Sequence, residues 1–559
     1  MSAIEKKKYY PQHMHVHSIY EPGSSMEGHM YFASLLGMKY IWFTEHDIFW
    51  DKKPYSFGFE PEETEPDGLG RPTKVFLPSS DSVGEVKTDT DMPYDGKASL
   101  RLTADKNLGE SWRGASAVTF GAGISQSLCR LPMLSLAHRG VTHSAGDVRY
   151  IFDITLSERP PEQKFAHIIF VAGDSEGLSA PHTLVLPISV GETWELTTFD
   201  ISLVASSSDA IEASIGGLDN VISALTVRVE TRRGASASLF IDSLEVSGKS
   251  TAEETKKRQT ELALEIGKRY GVTPFVTAEI TAGGHKNCFS TNPPIFTYGN
   301  PAHKVSNAEA CAVMSERGQV FSINHPFVYL SHENPVTVDY DAECDSLVEK
   351  LAESGAYGAS LLEVGFPFGR YAPLSAHLRL WDKLALRGVL LTGYGATDSH
   401  MMTEGWFSGN NFANFIGVNT NSEPTEDDFA ASMRAGMLYA ANPLVIKGEV
   451  SFVADGCREM GSLSVLPLGT SSRVALSLGI SNHNWKVAWI VNGERVRLDD
   501  ATRMGYYGEY ELTTSGDVDF VRAEVYDYFG NLLLMTNPIY FTADVKNIKN
   551  GTKGRTVHK

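Results

Sequence analysis

The feature that most constrains this chain is a set of short apolar runs, each followed by polar residues that can do chemistry. Tyr40-Ile41-Trp42-Phe43 runs into Thr44-Glu45-His46, and Phe275-Val276-Thr277-Ala278 into Glu279. Val320-Phe321-Ser322-Ile323 leads to Asn324-His325, and Leu361-Leu362-Glu363-Val364 to a loop with Arg370. Val389-Leu390-Leu391-Thr392 precedes Asp398-Ser399-His400, and Phe415-Ile416-Gly417-Val418 is a further run. Strands buried on both faces read as continuous apolar runs, and alternation with helices predicts a parallel sheet. The intervening helices carry start and stop signals. Ser250 and Glu253 have capping-box spacing before a helix expected over 255–270, which Gly271 can end. Thr425 can cap a helix over 427–435 that Gly436 stops.

Two other textures interrupt this pattern. Residues 57–248 lack such helices and carry short alternating segments at 98–102, 150–156, 167–171, 183–188, 225–231 and 238–246, separated by Gly, Ser, Asp and Pro. That predicts an antiparallel sandwich or jelly roll. Residues 446–545 are also β, with Val487–Val491 followed by the hairpin signal Asn492-Gly493. The expected organisation is α/β: a first parallel-sheet part (1–56), which the family resemblance given below reads as barrel, an inserted β-sandwich (57–248), the second part of the same unit (249–445), a C-terminal β-sandwich (446–545) and a loose basic tail (546–559).

Composition narrows the function classes. Of 559 residues, 42% are hydrophobic and 21% charged, which is ordinary globular chemistry. Formal charge is −19, and no large basic run offsets it, which argues against nucleic acid as a partner. No apolar stretch reaches the roughly 18 residues needed to span a bilayer. Residues 1–12 are charged and lack an apolar signal core, so a cytoplasmic location is expected. The 5 cysteines are scattered without CxxC spacing, which fits a reducing compartment and argues against a thiolate zinc site.

The histidines and acids carry the functional information. His15-Val16-His17 places two imidazoles on one side of an extended segment, and Asp398-Ser399-His400 does the same with a carboxylate and an imidazole. His46, Glu279 and His325 each lie just past an apolar run, with His285 close behind Glu279. In an α/β barrel these are C-terminal strand ends, where active sites are built. Converging imidazoles and carboxylates suit Zn, Mn or Fe. His29, His138, His143, His167, His182, His332 and His377 are read as ordinary core or surface residues.

The segments His13-Met14-His15-Val16-His17-Ser18 and Gly37-Met38-Lys39-Tyr40-Ile41-Trp42-Phe43-Thr44-Glu45-His46-Asp47 resemble the opening of PHP (polymerase and histidinol phosphatase) domains. Ala278-Glu279-Ile280-Thr281, Gly284-His285-Lys286-Asn287, Asn324-His325-Pro326 and Thr397-Asp398-Ser399-His400 follow in matching order. Arg434-Ala435-Gly436-Met437-Leu438-Tyr439, Val521-Arg522-Ala523-Glu524 and Thr536-Asn537-Pro538-Ile539-Tyr540 are similar to the carbaryl-hydrolase-like branch. The resemblance covers about half the chain and leaves out the insert, whose texture resembles carbohydrate-binding modules.

The resemblance implies a distorted (β/α)7 barrel holding two to three divalent ions of Mn, Zn or Fe. His15, His17, Glu279 and Asp398 would hold the first. Glu279 would bridge to a second held by His285 and His325, and His46 and His400 would hold a third. Where the family has an aspartate five residues after the second histidine, this chain has Pro22, with Glu21 the neighbour that could substitute. Another aspartate, before the opening pair, is replaced by His13. The third ion is therefore expected to be the weakest.

The expected activity is hydrolysis of a small phosphomonoester or phosphodiester by a hydroxide shared between cations, with Asp398, Glu279 and His325 as catalytic groups. Arg370 and Lys286 would grip the phosphate of a small-molecule substrate, phosphorylated or sugar-linked. Two alternatives stand beside this. One is hydrolysis of a carbamate, ester or amide. The other is a glycan-binding protein with an auxiliary barrel, whose sugar-stacking face would draw on Trp112, Tyr150, Trp194 and Phe199, although core packing is the preferred role of these rings. The insert could also cover the site or mediate assembly into a homo-oligomer.

Overall fold

The computed structural model describes residues 7–18, 24–50, 54–60, 76–78, 84–112, 114–121, 124–159, 164–209, 211, 218–296, 305–330, 333–365, 372–400, 406, 412–420, 422–446, 449–482, 484–501 and 505–559. The protein is mostly β-sheet, arranged in several sheets. Three strands lie parallel and neighbouring: β1 (Lys8–Val16), β2 (Tyr40–His46) and β3 (Thr273–Ile280). The last two pair in a register that sets His46 opposite Glu279. A short β4 (Lys286–Cys288) folds back antiparallel on β3. A second parallel group comprises β5 (Ser322–Ile323), β6 (Leu361–Gly365) and β7 (Thr392–Gly395). β6 and β7 are buried along their whole length, as continuous apolar runs require.

Among the described residues these strands do not close into a barrel, in contrast to the expected seven-stranded ring. At one seam a single bridge joins Cys288 to Phe321. At the other, β8 (Ala413–Val418) pairs antiparallel with β1. Its Asn414 side chain accepts from Gly395 N at 2.8 Å and donates to Gly395 O at 2.7 Å. That amide takes the backbone groups a neighbouring strand would have used, so the ladder ends there.

Helix signals read well, with a one-residue shift. The helix Ala252–Tyr270 is capped by Thr251, whose hydroxyl accepts from Glu254 N while Glu254 answers to Thr251 N. The expected Ser250/Glu253 pair lies one position too early. Gly271 ends this helix at φ 65°. Thr425 caps Glu426–Ala435, with Asp428 completing the box and Gly436 at φ 77°.

The insert forms two facing sheets. One runs Thr183–Pro187, Lys164–Ala172, Asp147–Arg159, Val221–Arg232, Gly114–Phe120, Phe76–Pro78. The other runs Glu195–Asp200, Pro132–Ser144, Ala235–Gly248, Ser99–Asn107, Gly84–Asp89. Leu100, Leu102, Phe120, Phe152, Ile168, Leu225, Val227 and Leu239 fill the space between them. The sandwich docks on the region of the parallel strands through Cys129, which shares a core with Val16 and Met26. Asp219 also reaches across, accepting from Met26 N and Glu27 N, both at 3.0 Å.

Two expectations about the C-terminal region are corrected. It is not a separate sandwich beginning at 446. Strand β9 (Leu438–Ala441) pairs with Leu532–Thr536, so the first sheet continues into the C-terminal strands. Among the described residues of this region, only the sheet made by Arg458–Glu459, Val450–Ala454, Ser471–Leu478 and Tyr506–Thr513 stands apart. Nor is 546–559 a loose tail. Val557–His558 pairs with Leu463–Val465, and Arg555 is buried. The Arg555 guanidinium donates to Ala435 O, Gly461 O, Leu390 O and Thr392 Oγ1. Basic composition suggested solvation, but one of these cations satisfies buried carbonyls instead. The hairpin is as expected, with Asn492 at φ 52° and Gly493 at φ 86° between Lys486–Val491 and Glu494–Asp500. No helix among the described residues is long and apolar enough to cross a membrane.

Candidate metal centre

Of the residues expected to hold metal, the eight histidines and acids other than Glu21 come together in one cluster around Glu279. On β1, the extended backbone points His15 and His17 the same way. Their Nε2 atoms lie 3.2 Å apart, at 3.4 and 3.2 Å from Asp398 Oδ1. Glu279, buried at the end of β3, is reached from every side. Its Oε1 lies 3.3 Å from His15 Nε2, 3.2 Å from His285 Nδ1 and 3.1 Å from His325 Nε2. Its Oε2 lies 2.8 Å from His46 Nδ1 and 3.6 Å from His17 Nε2. His400 closes the group, its ring stacked on His17 at 4.3 Å with His46 on His17 at 4.4 Å. His46, His285 and His400 are the partly exposed members, so the cluster opens on their side.

Three subsets have ligand atoms within 4.8 Å of one another: His15, His17 and Asp398; His46, Glu279 and His285; His17, His46 and His400. The division differs from the implied one, because His46 joins the Glu279 group and His17 is shared with the third. The donor set fits borderline divalent ions. Glu279 Oε2 and His285 Nδ1 are buried without a hydrogen-bond partner. Close approach at angles that make no hydrogen bond is what ligand atoms arranged for a cation show. Two of the residues are held in strained backbone, His325 at φ 21° and Asp398 at φ 48°. Burial raises the Glu279 carboxyl, but the imidazoles of His15, His46 and His285 outweigh it and hold it well below the usual carboxylate range. For His17, burial and the neighbouring His46 outweigh Asp398 and keep the ring neutral, the form that can ligate a cation.

Sequence reasoning missed the groups beneath this cluster. Glu363 is fully buried in β6. Its Oε1 accepts from His15 Nδ1 at 2.7 Å and from Tyr394 OH at 3.2 Å, and its Oε2 from His325 N at 2.5 Å. The signal was present, since an acid inside the run Leu361-Leu362-Glu363-Val364 must find partners when buried. Asn324 donates to Glu279 Oε1 at 2.7 Å, while its own oxygen accepts from Ser322 Oγ and Asn287 N. Glu45 accepts from Ser18 N and Ser18 Oγ and so fixes the end of β1.

Lys286 is not placed for a substrate. It is buried, and its Nζ donates to Ala282 O at 2.8 Å and Gly284 O at 2.6 Å, closing the turn that carries His285. Burial pulls its pKa down to about 8. Arg370, Glu21 and Pro22 lie outside the described residues, as do Phe366, Phe368 and Tyr371. The four aromatics considered for sugar stacking share no face. Tyr150 and Phe199 belong to the sandwich core. Trp112 is held between Arg149 and Arg232 of one sheet, and Trp194 rests beside Arg139 and Phe240 of the other. His29 is a buried structural group, accepting from Trp406 Nε1 at 2.9 Å.

No protein-family model and no curated protein matches the chain. Among solved structures, it is similar to a Caldicellulosiruptor saccharolyticus carbohydrate-binding module, CBM27-1, solved with mannohexaose, at 11% identity and TM-score 0.22 over 34% of this chain and 96% of that one. A family 30 carbohydrate-binding module matches at 13% identity and TM-score 0.23 over 36% of this chain and 91% of that one. Endoglucanase cel12A from Rhodothermus marinus matches at 12% identity and TM-score 0.21 over 31% of this chain and 98% of that one. TM-scores this low do not identify a shared fold.

Proposed function

We propose that this chain is a metal-dependent hydrolase of the PHP type, acting on a small phosphomonoester or phosphodiester. The observation that supports the reading most is Glu279, whose two oxygens together face five imidazoles within 2.8–3.6 Å. Divalent ions bound there would acidify a water and draw charge from the P=O oxygen in the transition state. The protein's own groups divide the remaining work. Asn324 fixes the orientation of Glu279, and Glu363 fixes that of His15. Asp398, beside His17 and His400, would take or return a proton. Burial of the inner members keeps bulk water from the cluster, which strengthens every charge interaction in it.

Loading stripped protein with Mn, Zn or Fe and assaying a panel of phosphoesters tests this. Turnover of phosphoesters is expected. Absence of turnover with every ion, alongside rapid hydrolysis of aryl esters or carbamates, would overturn the phosphate reading. Hydrolysis at carbon is the second reading, and one observation favours it. Lys286, the fixed cation expected beside the cluster, is committed to backbone carbonyls rather than to a substrate anion.

A further inference from the structure

A second constellation lies at the opposite ends of the parallel strands. The loops before β5 and β6 and the C-terminal segment enclose a polar cleft of about 210 Å³. Gly318, Gly358 and Gly551 form part of its walls, and each has positive φ. Two cations, Arg434 and Lys553, and two hydroxyls, Ser315 and Ser360, also line it, with no carboxylate among the lining residues. In a chain of formal charge −19, a cleft with two cations and no acid is a marked local departure.

The donors are underused. Arg434 is half-buried on the last turn of its helix and has one hydrogen bond, from Nη2 to Gly318 O at 2.7 Å. It has no carboxylate partner among the described residues, and Arg is rarely removed from water unpaired. Its aliphatic stem is confined by the chain crossing it, where a Cβ on Gly554 would meet Arg434 Cδ at 2.6 Å. The C-terminal segment is itself held in place. Asn550 donates to Ala359 O at 2.8 Å and its carbonyl accepts from Leu390 N at 3.0 Å. Gly551 passes so close to Leu390 that an added Cβ would lie 2.1 Å from its carbonyl oxygen. Converging donors without local acceptors recognise an oxyanion.

We propose that this cleft binds a tetrahedral oxyanion, a phosphate or sulfate group, between Arg434 and Lys553, and that the bound anion clips the C-terminal segment to the strand ends. The site is separate from the metal cluster, because the cluster lies past the C-terminal ends of the same strands. The anion can be free or the terminal group of a phosphomonoester.

The test is equilibrium binding of inorganic phosphate to chelator-treated full-length protein at constant ionic strength, followed by calorimetry and by the shift in melting temperature. Removing metals silences any phosphate binding at the cluster, so the outcome does not depend on the proposed activity. Saturable binding is expected, with sulfate competing and chloride inert. Arg434→Gln should weaken it at least about tenfold, the loss of one charge-assisted contact. Lys553→Gln, at an exposed position that tolerates substitution, should weaken it several-fold. Glycerol 3-phosphate competing with inorganic phosphate would show that an esterified group is accepted, and failure to compete would restrict the site to the free anion. Absence of binding at millimolar phosphate, or equal affinity in wild type and Lys553→Gln, would overturn the proposal.

Discussion

Replacing Glu363 by Gln should weaken metal binding without touching a ligand. The carboxylate presents two oxygens to three donors: His15 Nδ1 and Tyr394 OH at Oε1, and His325 N at Oε2. Glutamine keeps the shape but offers one oxygen and one NH2. If the NH2 faces His325 N, two donors meet and a buried N–H is left unpaired, costing about 1–3 kcal/mol. If it faces His15 Nδ1, that nitrogen must accept, and the imidazole proton moves to Nε2. Nε2 is the atom that looks toward Glu279 and Asp398, so the ligand lone pair is then lost. Either arrangement disturbs a ligand, the first through the backbone of His325 and the second through the tautomer of His15. Loss of an outer partner of this kind typically costs about 10–100-fold in metal affinity, or about 1.4–2.7 kcal/mol.

The assay is competition for Zn or Mn against chelators of graded strength, with long-range nitrogen–proton NMR reporting the His15 tautomer. The expected result is a 10–100-fold weaker site, and a change in either the His15 ring or the His325 amide signal. Wild-type affinity in Glu363→Gln, with Glu279→Ala losing its metal in the same assay, would refute the reasoning. It would mean that packing alone sets His15 and that the carboxylate contributes only to folding.

Other outcomes follow from the same contacts. Glu279→Ala should abolish hydrolysis and lower metal content, since its carboxylate lies against imidazoles of all three subsets; a folded variant with normal metal and turnover would show a structural role only. Thiol titration of native protein should find one fast group, Cys457, and five after denaturation, because the other four are buried. For these, burial also raises the thiol pKa, that of Cys311 to about 11; rapid labelling of a second thiol would contradict the packing. Arg555→Met should cost at least about 3 kcal/mol in denaturant unfolding, since it strands several buried acceptors; a loss under about 1 kcal/mol would show that the C-terminal segment is held by other contacts.

Strand ends were legible in the sequence where burial on both faces made the runs continuous, and so was the gathering of the histidines and acids that follow them. The i,i+2 pairs could be read because strand periodicity fixes side-chain direction without tertiary information. Glu363 and Asn324 lie in or beside those runs, but a supporting residue is recognised by what lies behind it, which is a long-range property. The same limit applies to the sheet joining Leu438–Ala441 to Leu532–Thr536 and to the ordered C-terminal segment. Both depend on pairing between residues far apart in the chain. Lys286 departs from its expected role for a local reason: a lysine just after Gly283-Gly284-His285 reads as exposed, but its stem turns back and its ammonium donates to Ala282 O and Gly284 O, closing the turn.

The geometry also explains how a large insertion leaves the ligand register intact. The insert follows Trp50 and rejoins at the helix capped by Thr251, and one side chain, Gln259, ties both ends together. Its oxygen accepts from Trp50 Nε1 at 2.9 Å, and its nitrogen donates to Glu45 Oε1 at 3.1 Å. Glu45 in turn holds Ser18, just past the His15/His17 pair. Asp219 adds a second tie by accepting from the first two N–H groups of the Met26–Leu35 helix, where a carboxylate also meets the positive end of the helix dipole. Ser24, beside that helix start, donates to His17 O at 2.7 Å. The sandwich is therefore bonded to the helix that follows the His15/His17 pair rather than hanging from a tether. A domain attached this way limits how far the strand ends can separate. That constraint matters most for Glu279, which must stay in register with His46 although the whole insert lies between them in the chain.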